Sequence, residues 1–232
     1  ADQVSVTWSG GEMPRVVLMG LTEGGSIKAM EELLRKNGLN ASAKICAMDG
    51  RPLTQNIGAL TAADPDIILV SGGTEGGAEH ALYRLGEILL MGCKSIDERN
   101  RPEILYMGNT EARSQFDKVF HQLTDINFCD NVMGQKEARI SPTTAFQKCM
   151  LNFGKEKNPA LNQLLKETGC EAISGDFAYG RCVRLLSRLH RANHSVLAGE
   201  VGAGRTLAAF GQNLGLEMSS FPGGIGRTPP KL

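Results

Sequence analysis

The stretch Ser71-Gly-Gly-Thr-Glu-Gly-Gly77 sets four glycines around a hydroxyl and a carboxylate. Glycine lets backbone N–H groups approach an anion closely, so Gly72, Gly73, Gly76 and Gly77 could cradle a charged ligand. A helix beginning just beyond them would add the positive end of its dipole. Thr74 and Glu75 bring a hydroxyl and a carboxylate to the same place. The bland reading is a tight turn that also permits close helix packing. The stretch lacks the Lys-Ser/Thr ending of a P-loop and the Gly-x-Gly-x-x-Gly spacing of dinucleotide sites, so it marks a site without naming a ligand. Gly108-Asn109 and Gly20-Leu-Thr-Glu-Gly-Gly25 are further turns of this kind, with Asn109 a candidate contact, although strand-to-helix turns favour glycine and asparagine in any case.

A second candidate is Glu200-Val-Gly-Ala-Gly-Arg-Thr206. Here the turn at Gly202 and Gly204 could present N–H groups to phosphate, with Arg205 paired to it and Thr206 beside it. Glu200 could hold a metal or a water. A plain glycine hairpin is the alternative. Metal and nucleophile chemistry has less support. No Cys-x-x-Cys occurs, and His190 and His194, four apart at a helix end, have no cysteine or acidic cluster nearby. No Gly-x-Ser-x-Gly elbow is present. Arg181, Arg184, Arg188 and Arg191 fall near one helix face and either dock an acidic partner or form a solvated stripe.

The elements that must position these residues are legible from apolar patterning. Arg15 to Leu21, Ala43 to Met48, Asp66 to Val70, Glu103 to Met107 and Ile126 to Val132 read as strands, the third as a continuous apolar run expected of a sheet covered on both faces. Ser26 to Asn37, Leu53 to Ala63, Ala78 to Met91 and Thr110 to Leu123 read as helices between them. Five such alternations make a doubly wound, Rossmann-like parallel sheet over residues 1–133, and ligands of such sheets sit at the carboxyl ends of the strands. From Gly134 the pattern changes. Residues 134–232 read as helices from Ser141-Pro142 onward, broken at Asn158-Pro159 and Gly169, then a β-hairpin of Val196 to Val201 and Thr206 to Phe210. The segment from Ser219 to Leu232 reads as loop. The two parts are expected to pack as one α/β body.

Composition bounds the rest. The chain has 232 residues, 25 Lys plus Arg against 25 Asp plus Glu, and 41% apolar residues. That suits an ordinary folded protein. Zero formal charge leaves no global field to gather phosphate backbones or anionic lipid, so neither nucleic acid nor a membrane is the expected partner. No run of 18 apolar residues and no signal-peptide pattern occurs. Six dispersed cysteines in apolar contexts fit a reducing cytoplasm. The start at Ala1 and the abrupt Thr228-Pro-Pro-Lys-Leu232 read as a piece of a longer chain.

Asp66-Ile-Ile-Leu-Val-Ser-Gly-Gly-Thr-Glu-Gly-Gly77, Ile104-Leu-Tyr-Met-Gly-Asn109, Asp130-Asn-Val-Met133 and the upstream Trp8-Ser-Gly-Gly-Glu-Met13 together resemble the MutL (GlmL) family. These are accessory proteins encoded beside adenosylcobalamin-dependent glutamate mutase. The likeness runs from about Trp8 to Phe210. It implies an actin, Hsp70 and sugar-kinase type of fold with an inserted Rossmann-like portion, the hairpin belonging to an actin/Hsp70-like lobe. It also implies a role in reactivating a cobalamin-dependent mutase by contact with it or with its accessory proteins. By this resemblance Glu200 to Thr206 matches the family's phosphate-contacting Asp-Val-Gly-Gly-Ala-Thr-Thr element, with ATP and magnesium as the implied cofactor. Glu200 stands for the aspartate, Ala203 for a glycine and Arg205 for a threonine. Nothing before Val16 resembles the family's first phosphate hairpin. ATP binding is therefore expected to be weak, with little or no hydrolysis. The alternative is a small-molecule or nucleotide-binding enzyme with its site at Ser71 to Gly77. Direct cobalamin binding is disfavoured because Asp-x-His-x-x-Gly is absent. Assembly with further copies of itself stays open.

Overall fold

The computed structural model describes residues 6–9, 13–77, 79–134, 140–189, 194–213 and 215–226. In chain order it contains β1 (Val6–Trp8), β2 (Val16–Gly20), α1 (Lys28–Arg35), β3 (Ala43–Cys46), α2 (Leu53–Ala62), β4 (Ile67–Ser71), α3 (Glu79–Ser95), β5 (Glu103–Tyr106), α4 (Arg113–Phe120) and β6 (Ile126–Phe128). Then follow α5 (Pro142–Lys157), α6 (Pro159–Thr168), β7 (Ala172–Ser174), α7 (Gly175–Leu189), β8 (Ser195–Val201), β9 (Arg205–Gln212) and β10 (Gly215–Pro222). They divide into two compact units. One comprises residues 11–31 and 41–162, the other residues 1–10, 32–40 and 163–232.

The larger unit is the expected doubly wound sheet. Its five strands are all parallel in the order β3-β2-β4-β5-β6, so the direction of winding reverses between β2 and β4. Every residue of β2 and β4 is buried. Side chains alternate between faces. Val17, Met19, Ile68, Val70, Ile104 and Tyr106 pack with Leu60 of α2, Leu85, Ile88 and Leu89 of α3, and Phe116 and Phe120 of α4. Their neighbours Val16, Leu18, Ile67, Leu69 and Leu105 are equally buried and point the other way. This explains the unbroken apolar runs of β2 and β4, since neither face of those strands is left to water. Each such side chain contributes about 1.5–3 kcal/mol of burial. Tyr106 centres an aromatic group, its ring centroid 4.6 Å from Phe116 and 5.8 Å from Phe128. The last strand is shorter than the expected Ile126 to Val132. The chain leaves the ladder after Phe128, although the Cys129 and Val132 N–H groups still donate to Tyr106 and Met107.

The smaller unit holds the expected hairpin, β8 against β9 from Ser195–Gln212 to Val201–Thr206. It goes further than expected. β10 pairs with β9 along all eight of its residues, so Ser219 to Pro222, read as loop, lies in a third strand. Among the described side chains of β10 only Met218 is buried, and serine and glycine mask the alternation. Helix α7 covers one face of this meander, with Val183, Leu207, Ala209 and Met218 as the small core and Tyr179, Val196, Ala198 and Leu216 around it. Two three-residue strands, β1 and β7, pair in parallel beside it, neither evident in the sequence.

Candidate functional site

In the larger unit, the loops after β2, β4, β5 and β6 meet at the carboxyl edge of the sheet. The loop after β2 is a π-turn at Glu23–Ile27, starting ahead of the expected helix. Buried Ser26 closes it, its Oγ accepting from the N–H groups of Leu21 and Thr22 at 2.9 and 3.2 Å. The loop after β4 is pressed directly on this one. A Cβ on Gly72 would lie 2.4 Å from Leu21 Cγ, and one on Gly108 would lie 2.9 Å from the Gly72 oxygen. Gly73 and Gly76 have φ of +73° and +72°, a conformation that favours glycine. The Gly77 N–H donates to Thr74 O at 2.8 Å, making a turn with Thr74 exposed at its start.

Glu75 is a latch across this edge. One carboxylate oxygen accepts from the N–H of Thr110 at 3.1 Å and from its hydroxyl, and the other accepts from Asn131 Nδ2 at 3.1 Å. Asn131 Nδ2 also donates to Gly73 O at 2.9 Å. Partial burial works to raise the Glu75 pKa. The Thr110 hydroxyl, the Asn131 amide, the Thr110 N–H and the charge of Arg113 outweigh it and hold the carboxyl below the usual carboxylate range. Asn109 is fully buried beside Gly73. Its Oδ1 accepts from the Glu111 N–H at 3.0 Å, whereas its Nδ2 has no partner. The structure thus brings Gly72, Gly73, Thr74, Glu75, Gly76, Gly77 and Asn109 together, and adds Thr110 and Asn131 as their anchors. Neither was named as a site residue: Asn131 entered only within the quoted Asp130-Asn-Val-Met133, and a lone threonine after Asn109 carries no pattern.

Among the described residues, the hydroxyl and thiols nearest this edge are not activated nucleophiles. Ser71 Oγ donates to Met107 O at 3.1 Å. Burial pushes the thiols of Cys93 and Cys129 up to about 12, Cys149 higher still, and the Tyr106 phenol well above its ordinary value. The thiols stay protonated and inert at neutral pH. Among the described residues no group of three His, Cys, Asp or Glu could hold a metal ion. His194 is described and exposed, whereas His190 and Arg191 lie outside the described residues. A polar cavity of about 580 Å³ opens at the opposite, amino edge of the sheet, lined by Arg15, Asp66, Arg101, Glu103, Asn152 and Lys157 among others.

In the smaller unit, the turn between β8 and β9 is closed by the Gly202 N–H donating to Arg205 O at 2.9 Å. The turn's carbonyls are occupied by the chain that follows β10. Gly223, Ile225 and Gly226 donate their N–H groups to Gly204, Gly202 and Ala203 at 3.3, 3.1 and 2.9 Å. The contact at Gly224 is closer still, a Cβ there falling 2.1 Å from the Gly202 oxygen. Thr206 Oγ1 donates to Gly223 O at 3.0 Å. Arg205 points to Asp176, an ion pair with the aspartate 7% exposed at its side chain. Arg205 Nη1 is buried without a partner. Glu200 is exposed on the strand. Asp176 was missed in the sequence, where an aspartate in the first turn of a helix is unremarkable.

Two arrangements define the class. The chain is a two-unit α/β protein, with glycine loops latched at the carboxyl edge of a doubly wound sheet and a glycine hairpin on a helix-backed meander. A family model described as MutL protein matches residues 1–207, and the chain belongs to that family, the MutL family related to glutamate mutase. No curated protein and no solved structure matches it. Among the described residues no helix is long and apolar enough to cross a membrane.

Proposed function

We propose that this chain is a cytoplasmic accessory module that contacts, or helps reactivate, an adenosylcobalamin-dependent mutase, with weak or no ATPase activity of its own. Membership of the MutL family supports the partner class. The observation that carries the second half is the hairpin of Glu200, Gly202, Gly204, Arg205 and Thr206. Its guanidinium is committed to Asp176, its threonine hydroxyl to Gly223, and its carbonyls to residues 223–226. In an actin/Hsp70-like lobe this hairpin would face a triphosphate tail. Here Arg205 Nη2 is held by a buried carboxylate, and drawing it onto a phosphate would cost several kcal/mol by leaving that carboxylate unpaired.

A second reading has its own support. A small molecule or nucleotide could bind at Gly72 to Gly77 and Asn109, because the winding reverses beside this loop and the buried Asn109 Nδ2 lacks an acceptor. One calorimetric titration with ATP and magnesium, run on the protein and on Asn109→Ala and Arg205→Ala, separates the readings. The accessory role expects no turnover, no binding tighter than about millimolar, and retention of an adenosylcobalamin mutase in a pull-down. Micromolar binding with turnover, abolished in Arg205→Ala, defeats it. Micromolar binding abolished only in Asn109→Ala establishes the second reading.

A further inference from the structure

Helix α7 is apolar on two opposite sides. One side presents Val183, with Gly180 and Ser187, to the meander. The other carries Ala178, Cys182, Leu185 and Leu189 at spacings of four, three and four residues, with Leu186 beside them. Leu185, Leu186 and Leu189 are 56, 46 and 74% exposed, and Cys182 is exposed as well. A surface helix with one buried face needs only one apolar stripe. Single exposed leucines are ordinary. Three of them contiguous with a thiol and an alanine, in alternating steps of three and four, form the seam on which a second helix packs.

Charge selects the occupant. Arg181, Arg184 and Arg188 run along one flank of the stripe, all exposed, and none makes an ion pair among the described residues. Arg181 lies 5.9 Å from the Phe177 ring centroid. A second copy packed on this face would bring the same arginines against the seam, and like charges at that spacing repel. A helix with acidic residues on its flank would pair with them and cover the leucines together. We propose that the outer face of α7 docks an amphipathic helix of a partner protein, one with leucine-type residues in heptad spacing and acidic residues along its flank. The proposal stands without the mutase reading, since it rests on α7 alone.

The probe is a synthetic three-heptad peptide with Leu at the a and d positions and Glu at e and g, compared with the same peptide carrying Lys at e and g. Fluorescence anisotropy at low salt reads binding. Maleimide labelling in a Cys170→Ser background reads the seam, because Cys182 is exposed and Cys170 half-buried while Cys46, Cys93, Cys129 and Cys149 are buried. The Glu peptide is expected to bind and to slow Cys182 labelling several-fold. Its Kd should rise about tenfold in Arg184→Glu with Arg188→Glu, and again in Leu185→Ser with Leu189→Ser, variants on an exposed face that leave the meander core intact. Equal binding of the Lys peptide overturns the proposal, as does undiminished Cys182 labelling at saturating Glu peptide. A dimer of the protein alone, cross-linked through Cys182, overturns it in favour of self-association.

Discussion

Glu75 and Glu103 are carboxylates at opposite ends of one sheet, and their surroundings push them in opposite directions. Burial dominates at Glu103 and raises its pKa, although its Oε1 accepts from Asn127 and Asn152 at 2.7 and 3.1 Å. A carboxyl raised in the fold favours its protonated form, so its stabilising contribution is complete below the unfolded pKa of about 4.3 and is lost as pH rises through the folded value. Glu75, held low, contributes above that pH and loses its contribution as pH falls through its folded value. In urea unfolding between pH 4 and 8, Glu103→Gln should match the parent at the acid end and exceed it at neutral pH. A Glu103→Gln protein less stable than the parent at pH 7 would contradict this. Such environments could not be read from the sequence. Likewise Arg205 was visible as a cation in a glycine turn, but Asp176, its partner, lies on another element far back in the chain.

At the scale of elements, the close seating of the loop after β4 sets different costs for neighbouring glycines. Gly72→Ala forces a methyl onto Leu21 in the buried edge and should destabilise by about 2–3 kcal/mol, as overpacking does. Gly76 faces open space, so Gly76→Ala should cost only the left-handed backbone conformation, about 1 kcal/mol. Chemical denaturation of the two variants checks the order. The large sheet and its helices were legible because β2 and β4 are continuous apolar runs and the shorter β3, β5 and β6 recur between helical patterns, each closed by a glycine or polar turn. The β1 and β7 strands were not, since three residues carry no period and the partner lies on the far side of the large sheet in sequence. For β10 the obstacle was composition, its pairing being made by backbone rather than by an alternating apolar face. The glycine loop of the candidate site was legible as a loop, whereas the latch through Thr110 and Asn131 depended on three chain segments meeting.

For the whole molecule, the smaller unit is assembled from three separated stretches, whereas most of the larger one is continuous. Deleting residues 1–9 removes β1 and the Val6 N–H that donates to Glu171 O at 3.3 Å, along with the Trp8 contact to Gly175. Losing a three-residue ladder at roughly 1 kcal/mol per hydrogen bond should weaken the α7 meander by about 2 kcal/mol. In hydrogen exchange, amides of β7 and α7 should then open more readily while those of β2, β4 and β5 keep their protection, because local stability follows contiguous units. Equal loosening of both sets would contradict the division.

The pairing of β1 with β7 also sets an order of events on the ribosome. Val6–Trp8 is synthesised before the five-stranded sheet and Ala172–Ser174 after it. Closing so long a span costs chain entropy that is recovered only when the pair has formed, and contacts of this separation are slow to form. A tryptophan-bearing segment therefore waits without its native neighbour while the whole five-stranded sheet is synthesised, a natural client for a nascent-chain chaperone.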